Sequence, residues 1–158
     1  MLGLAIADNS SFRIDPRELG KITSTYTIDT LESLRADVGK QTPLVLFMGA
    51  DQFLALHTWR RWKELTELAH ILVAMRPATE PFTPDNLPPD VSAWFQARLK
   101  DEPALIRRAP TGYIFMLGLT PLGISSTAIR ANLAAGRSPR YLLPAAVLDY
   151  IRTHNLYV

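Results

Sequence analysis

With 158 residues, of which 47% are hydrophobic, the chain can bury the core of one globular domain, and residues 1–158 are expected to form a single domain. Its net charge is +2, with arginines in small groups (Arg60–Arg61, Arg107–Arg108, Arg137 and Arg140). That pattern points to a compact anionic ligand such as a phosphate and away from a long nucleic-acid track. Cysteine is absent, which excludes disulfides and thiolate metal sites and permits a reducing cytosol. The longest apolar runs, PLVLFMGA and YIFMLGL, fall far short of a bilayer span.

Met1–Ala7 lacks a basic leader and a processing site, so it does not read as a signal peptide; it reads as the end of a helix whose beginning is absent. Asp8–Ser11 is turn chemistry, and Phe12–Arg13–Ile14 alternates like a short strand. Thr23, Ser24 and Thr25 offer N-caps for a helix carrying Ile28, Leu31 and Leu34, stopped by Gly39. Pro43–Gly49 is a continuous apolar run, the pattern of a strand buried on both faces. Asp51–Leu68 reads as one helix bearing Phe53, Leu56, Trp59, Trp62, Leu65 and Leu68, and His70–Met75 as another buried strand. The proline-rich segment Pro77–Pro89 reads as a surface excursion. A short helix at Val91–Leu99 follows, and Ala104–Leu119 supplies one or two strands. The chain closes with a helix after Ile124, a stop at Gly136, and a last helix from Pro144 with Val147, Leu148 and Ile151 on its apolar side. Strands alternating with helices imply an α/β fold built from parallel β-α-β units.

The stretch ISSTAIR, Ile124–Arg130, carries the clearest chemistry. A helix N-terminus leaves backbone N–H groups unpaired and bears partial positive charge, so an anion fits there. Ser125 is a natural N-cap, Ser126 and Thr127 add hydroxyls, and Arg130, one turn after Ser126, can fork onto phosphate oxygens. The same spacing also describes an ordinary capped helix with a solvated arginine. At the end of the central apolar run, Gly49 lets the backbone turn closely and the Asp51 carboxylate can accept ribose hydroxyl groups; capping the following helix is the plainer role for Asp51. Thr27, near a positive helix start, can offer an amide and a hydroxyl to a carboxylate, or simply begin the helix. His57, His70 and His154 show no metal-ligand spacing and read as structural or surface residues. No G-x-G-x-x-G or Walker motif occurs.

ISSTAIR is similar to the ISSTxIR signature of the nucleotidyltransferase α/β phosphodiesterase superfamily. The closing pattern Leu142–Leu143–Pro144, Val147, Tyr150–Ile151, Asn155–Leu156–Tyr157 resembles the bacterial nicotinate-nucleotide adenylyltransferases more than the phosphopantetheine adenylyltransferases. The resemblance runs from Met1 to the C-terminus. It implies a Rossmann-like parallel sheet with flanking helices and a C-terminal helical segment. The implied reaction is transfer of AMP from ATP to nicotinate mononucleotide, giving deamido-NAD and pyrophosphate, with Mg²⁺ brought by ATP. It assigns Ser125, Ser126, Thr127, Arg130, Arg76 and Asp51 to ATP. Tyr26, Thr27, Gly49, Asp51, Trp59 and Arg60 fall to nicotinate mononucleotide, with Trp59 stacked on the pyridine ring. A cytoplasmic enzyme without nucleic-acid or membrane partners is implied, and self-association is open.

One part of the pattern is missing. The family opens with a first strand and a GGTFDPxHxGH loop whose histidines are its principal catalytic side chains, and these 158 residues contain no such motif. The chain is therefore expected to be an N-terminally truncated form with impaired turnover and marginal folding, with no catalytic histidine of its own. Another acceptor such as phosphopantetheine, or a non-catalytic nucleotide-binding module, is the alternative. A basic RNA-binding surface is weaker, because the arginines are scattered and no stacking platform is evident.

Overall fold

Three apolar segments pair into a parallel sheet in the order β1-β2-β3: β1 is Val45–Gly49, β2 His70–Met75 and β3 Ile114–Gly118. In register, Phe47 lies beside Leu72, which lies beside Phe115. This is a computed structural model, and it describes residues 1–22, 24–75, 87–120 and 122–157. They group into two compact units, one of Arg17–Pro121 and one of Met1–Pro16 with Leu122–Val158.

In the larger unit, helix α2 (Thr27–Val38) buries Ile28 and Leu31, the residues marked by helical spacing, and Gly39 ends it at a φ of 82° that favours glycine. Arg35 fixes the end of α2: its guanidinium donates to the carbonyls of Gly39, Thr42, Leu68 and Pro110. Ile28 and Leu31 join Phe53, Leu56, Leu65, Ile71, Val73, Val91, Phe95 and Ile114 in one core. Phe53 meets Phe95 edge-to-face at 5.4 Å, which fastens α3 (Ala50–Leu54) to α5 (Pro89–Gln96). His70 is fully buried; its Nδ1 accepts from the Tyr113 amide at 3.1 Å, so Nε2 carries the proton donated to the Ala109 carbonyl at 2.9 Å.

Three expectations change. Phe12–Ile14 forms no strand and pairs with none of β1, β2 and β3. Strand β1, at one edge of the sheet, is buried on one face only: Val45 and Phe47 are 37% and 57% exposed, whereas Met48 on the other face is buried in the core. The span 51–68 is not one helix. It divides into α3, a 3₁₀ turn at Leu56–Thr58, a second at Trp62–Glu64, and α4 (Leu65–Leu68). The break comes where Trp59 turns extended (φ −79°, ψ 146°) and Arg61 adopts φ 53° and ψ 36°. Of the one or two strands expected in Ala104–Leu119 one forms, β3; before it Pro103–Arg107 makes a 3₁₀ turn, with a proline that can donate no ladder hydrogen bond.

The smaller unit holds α1 (Leu2–Ile6), α6 (Ser126–Ala134) and α7 (Ala145–Thr153). Val147, Leu148 and Ile151 form the buried face of α7, which packs against α1. Helix α6 ends in paired reverse bonds, Gly136 N–H to Leu133 O at 2.9 Å and Arg137 N–H to Asn132 O at 2.8 Å, with Gly136 at φ 67°. No helix among the described residues is long and apolar enough to cross a membrane.

Candidate functional site

Two short segments of the larger unit wall a cavity of about 280 Å³: Thr25–Tyr26–Thr27 at the entry to α2, and Thr58–Trp59–Arg60 where the second helix breaks. Tyr26 occupies the N-cap position of α2 without a side-chain cap bond; its backbone is extended and its carbonyl accepts from the amides of Asp29 and Thr30. Its ring is thereby left outside the helix, where the Arg60 guanidinium covers it at 4.9 Å. Arg60 Nη1 also lies 4.0 Å from Asp29 Oδ2, and the side chain remains 54% exposed. Trp59 is half-buried, its inner part packed against the core. The cavity therefore presents an aromatic wall, a free cation edge, threonine hydroxyls and a helix start, a set suited to a flat anionic ring.

Trp59 reaches this wall because helix geometry stops before it. Thr58 Oγ1 donates to Ala55 O at 2.7 Å and the Trp59 amide to Leu56 O at 2.9 Å, closing the 3₁₀ turn that aims the next residue outward. Arg61 follows, donating to Glu64 at 3.0 and 2.6 Å and to Glu32 of α2 at 2.9 Å. These hydrogen bonds raise the Arg61 pKa and hold the Glu64 carboxyl below its ordinary range, the Arg61 bond being the main cause. Thr58 and Arg61 escaped the sequence reading. Only the spacing of Arg61 and Glu64 offered a signal, and it is a common one.

At the carboxyl end of β1, Gly49 is the N-cap of α3 and Asp51 stands in its first turn, exposed, without a cap bond. Gln52 Nε2 donates to Asp51 Oδ2 at 3.5 Å. A Cβ on Gly49 would meet Asp51 Oδ1, so the glycine leaves room for the carboxylate beside the strand end. Arg76 lies outside the described residues.

In the smaller unit the hydroxyl run stands at the start of α6. Ser125 is the N-cap (φ −135°, ψ 151°), and its Oγ accepts from the Ala128 amide at 3.1 Å. Ser126, Thr127 and Arg130 are exposed, and Arg130 makes no hydrogen bond or ion pair among the described residues. Ser125 Oγ thus accepts within the helix and keeps its O–H to donate, and the neighbouring hydroxyls and the guanidinium are likewise available to an anion. No group of three or more His, Cys, Asp or Glu side chains converges among the described residues. His57 is exposed, and His154 stacks on Tyr150 at 3.9 Å.

The family description "Cytidylyltransferase-like" matches residues 1–132. The "Probable nicotinate-nucleotide adenylyltransferase" of Dechloromonas aromatica is 43% identical over 157 residues, covering 99% of this chain and 72% of that protein. The protein of the same description from Pseudomonas aeruginosa is also 43% identical, with 99% and 71% covered. Among solved structures, Plasmodium falciparum nicotinic acid mononucleotide adenylyltransferase complexed with NaAD aligns over 99% of this chain and 71% of its own, with a TM-score of 0.61 and 17% identity. That likeness concerns the fold: an α/β arrangement with a parallel sheet and flanking helices. By sequence, over nearly its whole length, the chain belongs to the nicotinate-nucleotide adenylyltransferase family.

Proposed function

We propose that the chain binds ATP and nicotinate mononucleotide for adenylyl transfer in NAD biosynthesis, a cytoplasmic process. A phosphate oxygen of nicotinate mononucleotide attacks the α-phosphorus of ATP, the bond to the β-phosphate oxygen breaks, and pyrophosphate leaves with the electron pair. No base is required, because the attacking phosphate is already ionised. Catalysis is then alignment of two anions and neutralisation of charge.

The observation that carries this reading is the cavity shared by Tyr26, Thr27, Trp59 and Arg60. Trp59 offers a face for the pyridine ring, and Arg60 with the start of α2 offers charge to the carboxylate. Asp51, with Gly49 beside it, takes ribose hydroxyls. Ser125, Ser126, Thr127 and Arg130 hold the triphosphate, with Arg76 on the nucleotide. Mg²⁺ comes as part of the ATP substrate, held by phosphate oxygens.

We further infer that turnover by these residues alone is low, because the histidine-bearing GGTFDPxHxGH motif is not among them. The chain spans about 71% of the length of its curated relatives. The second reading, a nucleotide-binding module without catalysis, draws on that same missing motif. Titration with ATP, nicotinate mononucleotide and nicotinamide mononucleotide, alongside pyrophosphate release, separates the two. Saturable binding that prefers the nicotinate form supports the acceptor assignment, and turnover decides between enzyme and module. Failure to bind either pyridine nucleotide rejects the assignment and reopens other acceptors such as phosphopantetheine.

A further inference from the structure

Arg61 is not among the residues that wall the Tyr26–Trp59 cavity, yet both its backbone and its side chain are committed. Its φ of 53° puts a non-glycine residue in the left-handed region, where L side chains are uncommon. The side chain is held on two sides. The guanidinium grips Glu64 through Nε and Nη2 at 3.0 and 2.6 Å, and Nη2 reaches Glu32 Oε1 at 2.9 Å. Glu32 and Asp29 are three residues apart on α2 and so share a face. The consecutive cations Arg60 and Arg61 meet these two carboxylates in order. One wall of the acceptor cavity is thereby tied to the helix that begins at the other wall.

We propose that Arg61, through Glu32, is a positioning residue that sets the distance and angle between the Thr58–Arg60 wall and the Tyr26–Thr27 wall. The inference rests on the acceptor reading only for the identity of the ligand. Both side chains of the Arg61–Glu32 pair are about 40% exposed, at 39% and 44%, so the pair adds little to global stability. Its consequence is local. The residue after Arg60 decides where Trp59 and Arg60 point, and a left-handed turn released from Glu32 relaxes toward ordinary backbone.

Two readouts on the whole chain test this. The first needs no ligand: the indole resonances of the tryptophans, assigned with W59F, compared in the unaltered chain, E32Q and R61G. Glycine removes the clamp and frees the backbone at this position, since it takes either sign of φ with equal ease. Trp59 should shift in both variants while Trp94, in the core, stays in place. An unchanged Trp59 in both overturns the proposal. The second is titration with nicotinate mononucleotide and, separately, with ATP. E32Q and R61G should weaken the pyridine nucleotide roughly 5-fold and leave ATP within about twofold, while R61K recovers part of the loss. Parallel weakening of both ligands overturns the proposal, since it marks general damage. Should the unaltered chain bind no nicotinate mononucleotide while Trp59 still shifts, the acceptor reading falls and the clamp stands.

Discussion

The Arg60 guanidinium sits over the Tyr26 ring at 4.9 Å and within 4.0 Å of Asp29, so one cation is shared between an aromatic face and a carboxylate. A bound pyridine carboxylate would compete with Asp29 for that cation. Replacing Arg60 with glutamine keeps length and hydrogen-bonding capacity but deletes the charge. The preference for nicotinate over nicotinamide mononucleotide should then fall by roughly 5-fold, the scale of one charge-assisted hydrogen bond at a half-exposed site. Affinities for the two pyridine nucleotides, measured side by side, check it. An unchanged ratio would mean that the start of α2 alone reads the carboxylate.

Gly49 and Asp51 make a second testable pair. Gly49 has an ordinary φ of −75°, so conformational freedom is not why a glycine stands there. Space is, because an added methyl meets the Asp51 carboxylate. Gly49→Ala should therefore imitate Asp51→Asn, each weakening nucleotide binding by roughly 10-fold through lost ribose hydrogen bonds, with little change in thermal midpoint. If Gly49→Ala binds normally, Asp51 has rotated at no functional cost and its carboxylate is not the ribose acceptor.

Much of this architecture was legible because it rests on uninterrupted apolar patterning. Ile71, Val73 and Ala74 in β2 announce a buried strand, and Ile28 with Leu31 announces the inner face of α2. Exposure of β1 was not legible: a strand's own residues do not say whether a neighbour covers its outer edge. The break at Trp59 was hidden for a different reason. Phe53, Leu56, Leu65 and Leu68 keep helical spacing across it, so nothing in the pattern marks the extended backbone of Trp59 or the left-handed one of Arg61. In the same way Ser125 showed its capping role in its spacing, whereas the cavity joining Tyr26 to Trp59 depends on tertiary packing that local sequence does not encode.

The Arg61–Glu64 pair carries a pH signature. Hydrogen bonding to Arg61 lowers the Glu64 pKa in the folded chain. A depressed carboxyl contributes stability that is fully present above its unfolded value and is lost as the pH falls through the folded one. Glu32 shares Arg61 with Glu64, and the residues next to them in sequence pair elsewhere, Arg60 with Asp29 and Lys63 with Asp90. The unaltered chain should melt slightly above Glu64→Gln near neutrality, and the two curves should merge in acid below the ordinary carboxylate range. The gap should also narrow in high salt, because both partners are exposed. Melting curves collected across the acid range test this, and a gap that widens on acidification contradicts the assignment.

The start of α6 separates stability from binding within the six residues Ser125–Arg130. Ser125 Oγ accepts the Ala128 amide, so Ser125→Ala removes a cap and should cost about 1 kcal/mol of stability, visible as a lower thermal midpoint. Ser126 and Arg130 are exposed, and α6 does not depend on their side chains for its fold. Ser126→Ala and Arg130→Ala should leave the midpoint in place while weakening ATP, the arginine by roughly 10-fold or more because it carries the charge, the serine by less. The loss should be greater for ATP than for AMP, since the grip acts on the β- and γ-phosphates. If Arg130→Ala weakens ATP and AMP equally, the guanidinium acts elsewhere on the nucleotide. If neither affinity changes, the hydroxyl run is a helix cap with a solvated arginine beside it, and the triphosphate must be held by other groups.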